Sequence, residues 1–268
     1  MNDDLRGRSL LAVFAHPDDE SLSCGGLLAW CAELGAQVSL LCVTRGEHGH
    51  GGVPGPENGL RDIRTRELQA ASRVLGISDL ILLDYPDGML PWVDAAALEA
   101  DIHDAIRRIR PDVVITFGED GLYWHPDHIA IHERTTAAVA ALGPMDDVTP
   151  ALYYVTMPPG CMRAVVNHAV ETVARRDSGS PAPQLILGIE DVDAFGTLAM
   201  APTLIVDARD FSARKLAAIK CHRTQLGDSA LNLVAESDAP RFLGTEHFRR
   251  AEVGSAADAF IERFAHRA

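Results

Sequence analysis

The chain has 268 residues, 47% of them hydrophobic, and a formal net charge of −14. That length and apolar content suit one large α/β domain with a packed core. The acidic balance excludes a protein that reads a nucleic-acid backbone and disfavours docking on an anionic membrane surface.

No run approaches the length of a membrane span, and the acidic start Met1-Asn2-Asp3-Asp4 lacks the basic region of a signal peptide. A cytoplasmic location is therefore the expectation. The five cysteines are odd in number, scattered and without a CxxC pair. They read as reduced, mostly buried thiols.

Residues 9–117 alternate short apolar runs with helical patterns, which predicts βαβ units and a parallel sheet. The expected strands are 9–15, 37–43, 79–83 and 112–117, with helices near 26–35, 61–75 and 94–109. The first strand runs into Ala15-His16-Pro17-Asp18-Asp19-Glu20. A His and three acids thus stand at a strand's carboxyl end, where open α/β sheets place ligands. His16 and Asp19 are hard-to-borderline ligands suited to Zn²⁺ or another divalent ion. Asp18, between them, can point at a water. The plainer reading is a surface loop whose acids cap a helix. Cys24 is close enough to be a further ligand candidate, although His and carboxylate ligands are already at hand.

The Gly- and Pro-rich loop 44–59 carries Glu47, His48 and His50, read more simply as solvated than as second-site ligands. Arg61, Arg64, Arg66 and Glu67 follow on a helix, where an arginine run is usually a solvated face. Asp84 to Gly88 has the composition of a turn. The fourth strand leads into Gly118 to His128, and Pro126 suits the first turn of a helix running to about 141. Asp127 and His128 fall in that first turn. Beyond Gly143 the pattern is less regular: a strand at 151–157, a linker at 175–183, a strand at 203–207, a helix at 210–221 and a helical cap over the last 30 residues.

If strands one and four are neighbours, the two His/Asp clusters converge. His16, Asp19 and His128 then form a two-histidine, one-carboxylate metal site with a position left open for water, as in hydrolytic zinc sites. Asp18 becomes the base that takes the water's proton. His125 becomes the group that stabilises an oxyanion or protonates a leaving amine. Asp127 is expected to hold the His125 ring. A nucleotide-binding reading finds no GxGxxG after the first strand and no P-loop, and a serine hydrolase finds no GxSxG elbow.

His16-Pro17-Asp18-Asp19-Glu20 with His125-Pro126-Asp127-His128 resembles the LmbE-like (PIG-L) N-deacetylase family. Thr44-Arg45-Gly46-Glu47, the Arg64-x-x-Glu67 helix ending in Leu75-Gly76, and Asp87-Gly88 extend the likeness over about 140 residues. It is closest in motif to the deacetylases of thiol-cofactor (mycothiol and bacillithiol) pathways. The resemblance implies a Rossmann-like three-layer α/β sandwich with a mostly parallel sheet and a less regular C-terminal part. It implies one domain over 1–268, with 1–142 the metal-binding core and 143–268 a substrate-pocket and capping part. The implied activity is zinc-dependent hydrolysis, Fe²⁺ being an alternative ion, of an N-acyl group on a small N-acetylated amino-sugar conjugate. It assigns His16, Asp19 and His128 to the metal, Asp18 to general base catalysis and His125 to the acid or oxyanion role. Tyr123 would polarise the carbonyl, and Arg64 and Asp87 would hold sugar hydroxyls. The weaker match at Lys215 and His222-x-Thr224-Gln225 puts His222 on the substrate side. For Tyr123, Arg64 and His222 the plainer alternatives are packing, a surface ion pair and a helix-end cation. His103, His168 and His266 read as structural or solvated. The competing functions are an amidase of thiol S-conjugates and a non-catalytic metal- or sugar-binding module. A homo-oligomer is compatible with each.

Overall fold

Residues 4–49, 57–142, 149–176 and 181–265 are described by the structure, a computed structural model. His50, Gly143 and His266, with parts of loop 44–59 and of linker 175–183, lie outside them. Four nearly all-apolar runs become parallel strands: β1 (Ser9–Phe14), β2 (Gln37–Thr44), β3 (Asp79–Tyr85) and β4 (Val113–Phe117). In β1, β2 and β4 almost every side chain is buried, as strands covered on both faces require. The chain continues into β5 (Ala151–Thr156), β6 (Leu204–Asp207) and β7 (Thr245–Gly254). All seven form one sheet of order β3-β2-β1-β4-β5-β7-β6.

Helices α1 (Asp19–Glu33), α2 (Glu57–Leu75) and α7 (Ser212–Ile219) pack together, and so do α3 (Ala95–Ile109) and α5 (Pro126–Ala140). The two groups make the outer layers of a three-layer α/β sandwich. The shorter α4 (Gly121–Trp124), α8 (Arg223–Leu226) and α9 (Ala239–Leu243), with α6 (Cys161–Arg176), complete the helices used below. Leu10, Leu11 and Ala12 of β1 pair in parallel with Val113, Val114 and Ile115 of β4. Strand order reverses at this pair, so the crevice beyond its carboxyl ends is the place the topology reserves for a ligand.

The last 30 residues are not a helical cap. They hold β7, which enters antiparallel between β5 and β6. Its charged sequence Thr245-Glu246-His247-Phe248-Arg249-Arg250 hides a period of two, because Glu246 and Phe248 point inward and are buried. Glu246 is accommodated because α1 is kinked at Cys24 (φ −144°, ψ 21°). The kink frees the backbone N–H groups of Gly26 and Leu27, which donate to the Glu246 carboxylate at 2.8 Å each. Lys215 of α7 supplies the counter-charge at 2.6 Å. A Cβ on Gly26 would lie 2.8 Å from the Ala208 Cβ, so this approach demands glycine. The helix over Cys161–Arg176 was also not evident from sequence, and α1 starts at Asp19 rather than near 26. Among the described residues no helix is long and apolar enough to cross a membrane.

Candidate active site

The loop leaving β1 is shaped by its own acids. The Asp19 carboxylate accepts from the His16 backbone N–H at 2.7 Å, and Glu20 accepts from that of Asp18 at 3.0 Å. Asp18 occupies the N-cap position of α1 at φ 117°, a conformation few non-glycine residues adopt, and its carboxylate makes no capping bond. Strain of this kind persists where the surroundings hold it, often at working sites. Here the carboxylate is turned to Arg64 Nη2, 3.1 Å away.

The clusters after β1 and β4 do converge. His128 Nδ1 donates to the Gly121 carbonyl at 3.1 Å, which leaves the Nε2 lone pair facing inward. His16 Nδ1 lies 3.1 Å from that Nε2. Asp19 reaches both through its two oxygens, Oδ2 3.4 Å from His16 Nδ1 and Oδ1 3.3 Å from His128 Nε2. Burial pushes His128 down to about 3, so its ring is neutral. Burial also opposes charge on Asp19, but His128 and His16 hold it below the usual carboxylate range.

This donor set fits a metal. Tetrahedral coordination with bonds of about 2.0–2.1 Å separates ligand atoms by about 3.3 Å. The three donors already stand at that spacing, and two ring nitrogens and a carboxylate converge on a point that needs positive charge. A proton on His16 Nδ1 can serve only part of that need. A divalent cation serves all three donors.

Asp127 is not where the sequence placed it. Its carboxylate accepts from the backbone N–H groups of Gly88 (2.8 Å) and Leu90 (3.0 Å) and lies 3.1 Å from His16 Nε2. It therefore orients His16 and does not hold the His125 ring. Asp87 shares that work, with Oδ1 3.1 Å from the same Nε2 and Oδ2 accepting from the His48 backbone N–H at 2.8 Å. Burial disfavours charge on His16, yet its bonds to Asp127, Asp19 and Asp87 raise it well above an ordinary histidine. Two sets of ligand atoms lie within 4.8 Å of one another: His16, His125 and His128, and, on the other edge of the His16 ring, His16, Asp87 and Asp127.

His125 caps α5. Its Nδ1 accepts from the Asp127 backbone N–H at 3.2 Å, so the neutral ring carries its proton on Nε2. Burial, with His16 nearby, pushes its pKa down. The result is a neutral N–H donor beside His16 and His128. Its ring centroid is 4.8 Å from that of His16 and 4.5 Å from that of His128. Tyr123 lies in the same cavity, its ring 5.7 Å from His125, and burial raises its hydroxyl well above the usual range.

Arg64 is buried, not a solvated helix residue. It donates to the carbonyls of Gly46 (2.8 Å) and Pro17 (2.6 Å) as well as to Asp18. Gly46, at φ 66°, leaves it room, for a Cβ there would fall 2.4 Å from the guanidinium carbon. Burial raises the Asp18 pKa while the Arg64 charge opposes the rise. His222 is wholly buried and pairs with Glu20 at 2.9 Å, behind the loop. It does not line the cavity, so its assignment to substrate is corrected to support of the loop. Cys24 is buried at the α1 kink and does not line the cavity, so it is not brought to the site.

These groups open on a cavity of about 270 Å³. Its lining also includes His48, expected to be solvated, Gln225, and two features not singled out from sequence, Phe195 and the turn Ile186–Ile189. The turn carries Leu187 and Gly188 at positive φ between Ile186 and Ile189, which exchange backbone hydrogen bonds. A Gly in an apolar run was the available signal for this hairpin-like turn. His48 is docked on Asp87, its Nδ1 donating to the Asp87 carbonyl at 2.8 Å.

A sequence profile described as GlcNAc-PI de-N-acetylase, PIG-L, matches residues 11–139. The chain is 35% identical to the 1D-myo-inositol 2-acetamido-2-deoxy-alpha-D-glucopyranoside deacetylase of Acidothermus cellulolyticus, over 90% of this chain and 88% of that protein. A conserved protein of Thermus thermophilus superposes with a TM-score of 0.61 at 25% identity, covering 97% of this chain and 99% of that one. The 4-carboxy-2-hydroxymuconate hydratase of Pseudomonas putida superposes with a TM-score of 0.64 at 19% identity, over 94% and 99%. The last likeness shows the fold alone and, since that protein is named a hydratase, that the fold does not choose the reaction.

Proposed function

The chain belongs to the PIG-L family, and from that premise we propose that it hydrolyses the N-acetyl group of a small N-acetylglucosaminyl conjugate, with a divalent ion held by His16, Asp19 and His128. The relative from Acidothermus cellulolyticus makes the myo-inositol glycoside of N-acetylglucosamine the first candidate substrate. The observation that carries the reading is the cluster of His16, Asp19 and His128 donors, 3.1–3.4 Å apart, with His16 and Asp19 lining a cavity that Asp18 and His125 also line and His128 buried behind them.

When bound, Zn²⁺, or Fe²⁺ in its place, polarises the amide carbonyl and makes water nucleophilic at neutral pH. Asp18, freed from capping and held by Arg64, accepts the proton of the attacking water. Asp18 then passes that proton to the departing amine, while His125 Nε2–H donates a hydrogen bond to the oxygen on which negative charge develops. A neutral imidazole donor suits that task, and capping a helix N-terminus keeps it neutral. The Tyr123 hydroxyl, protonated throughout, is a second donor to the carbonyl. Asp127 and Asp87 act on His16, fixing the ring so that Nδ1 faces the ion. Sugar hydroxyls fall to Gln225 and to the remaining donors and acceptors of Arg64 and Asp87 along the rim.

A non-catalytic module would have no use for a strained, uncapped Asp18 beside the ligand cluster. The test is a panel of N-acetylglucosaminides and thiol S-conjugate amides, assayed for acetate and free amine with metal-loaded, stripped and reloaded protein. Metal-dependent acetate release from the inositol glycoside is expected. Cleavage of S-conjugate amides alone would make it an amidase, and no amine from any substrate would overturn the hydrolase reading.

A further inference from the structure

A second cavity, of about 160 Å³, lies behind the first. Met157, Cys161, Met162 and Phe242 give it an apolar side, while Ser23, Thr156 and Lys215 give it a polar end. The hydroxyls of Ser23 and Thr156 are buried there without a protein partner, so the polar end is built to hold something, water in the simplest case. Leu22 lines both cavities, and among the described residues no other side chain does. Leu22 is 7% exposed and stands four residues after Asp18, on the same side of the first turn of α1.

We propose that Leu22 is the gate that sets the acyl length this enzyme accepts, with the cavity behind it as the space a longer acyl chain would enter. The proposal rests on the deacetylase reading above. An amide carbonyl placed between Asp18 and His125 directs its acyl substituent to the apolar part of the lining, where Leu22 stands with Leu122 and Phe195. A methyl group fits in front of Leu22, whereas each further methylene meets its side chain. Removal of that side chain joins the two cavities and adds the apolar side formed by Met157, Met162 and Phe242. The unpartnered hydroxyls and Lys215 beyond it stop the extension at a few methylenes, since a longer alkyl chain would bury these polar groups against hydrocarbon.

The experiment compares kcat/KM for N-acetyl, N-propionyl, N-butyryl and N-hexanoyl forms of one glucosaminide. The parent should prefer acetyl. Leu22→Ala should raise the butyryl-to-acetyl ratio about tenfold or more, the discrimination typical of a methylene or two in an apolar pocket. Cys161→Phe, which refills the rear cavity from α6, should reverse that gain when combined with Leu22→Ala. If Leu22→Ala fails to fold, Leu22→Val opens a smaller space and should raise the propionyl-to-acetyl ratio. Ratios that do not move in a variant that still cleaves the acetyl compound overturn the gate alone, as does a gain that Cys161→Phe leaves intact. A parent that cleaves none of the four compounds overturns the deacetylase reading and the gate with it.

Discussion

The Asp127 carboxylate lies 3.1 Å from His16 Nε2, on the edge of the ring opposite the one that meets His128 and Asp19. The same carboxylate takes two backbone N–H groups from the turn after β3. One side chain thus ties α5, β3's turn and His16 together. Asp127→Asn keeps the shape but replaces one acceptor by a donor. It should weaken metal affinity about 10- to 100-fold, the usual cost of losing such a partner. Chelator competition measures it, and an unchanged affinity would show that Asp87 suffices to hold the ring.

His125 both caps α5 and presents an N–H to the cavity, and Asn separates the two jobs because it is among the best capping residues. His125→Asn should keep its melting temperature and metal while kcat falls about 10²–10⁴-fold. His125→Ala should lose the same activity and also about 1 kcal/mol of stability. Full activity in His125→Asn would remove His125 from the chemistry.

Asp18→Asn leaves His16, Asp19 and His128 untouched and removes the carboxylate proposed as base. Its metal content should match the parent's, with kcat lowered about 10²–10⁴-fold. The loss should fall on kcat rather than KM, because the base is needed only as the barrier is climbed. Parent-like turnover by a metal-loaded Asp18→Asn protein would rule out the role assigned here.

From sequence alone, Arg64 grips a sugar and its removal raises KM. Its bonds to Pro17, Gly46 and Asp18 change that expectation. Arg64→Ala should lower kcat and the melting temperature together, because two buried carbonyls lose their donor and Asp18 its support. Steady-state kinetics beside a thermal melt decide it, and a rise in KM with kcat and stability unchanged would restore the sugar contact as its main role.

The buried pair Lys215–Glu246 joins α7, β7 and the kink of α1. Lys215→Met strands the Glu246 charge and should cost about 3–5 kcal/mol in urea unfolding. A loss under about 1 kcal/mol would mean that the two backbone N–H groups satisfy Glu246 without the lysine.

The sequence by itself determined the elements whose signals are local. The apolar runs of β1, β2 and β4, Pro126 opening α5, and the placement of His16, Asp19 and His128 at strand ends all follow from residues within one turn or one strand. Even so, the convergence of those three depended on one fact no local pattern carries, that β1 and β4 are neighbours. What only the tertiary structure decided involves partners far apart in the chain. Asp127 meets His16 across 111 residues, His222 meets Glu20 across 202, and Glu246 meets Gly26 across 220. Asp127 looked bound to its neighbour His125, His222 looked substrate-facing, and Glu246 gave no signal, because the partners that hold them are not local. The reason lies in the strand order. It inserts β7 inside the sheet, lays α7 and α8 behind the loop after β1, and sets the Asp127 carboxylate against His16 while its backbone N–H meets His125.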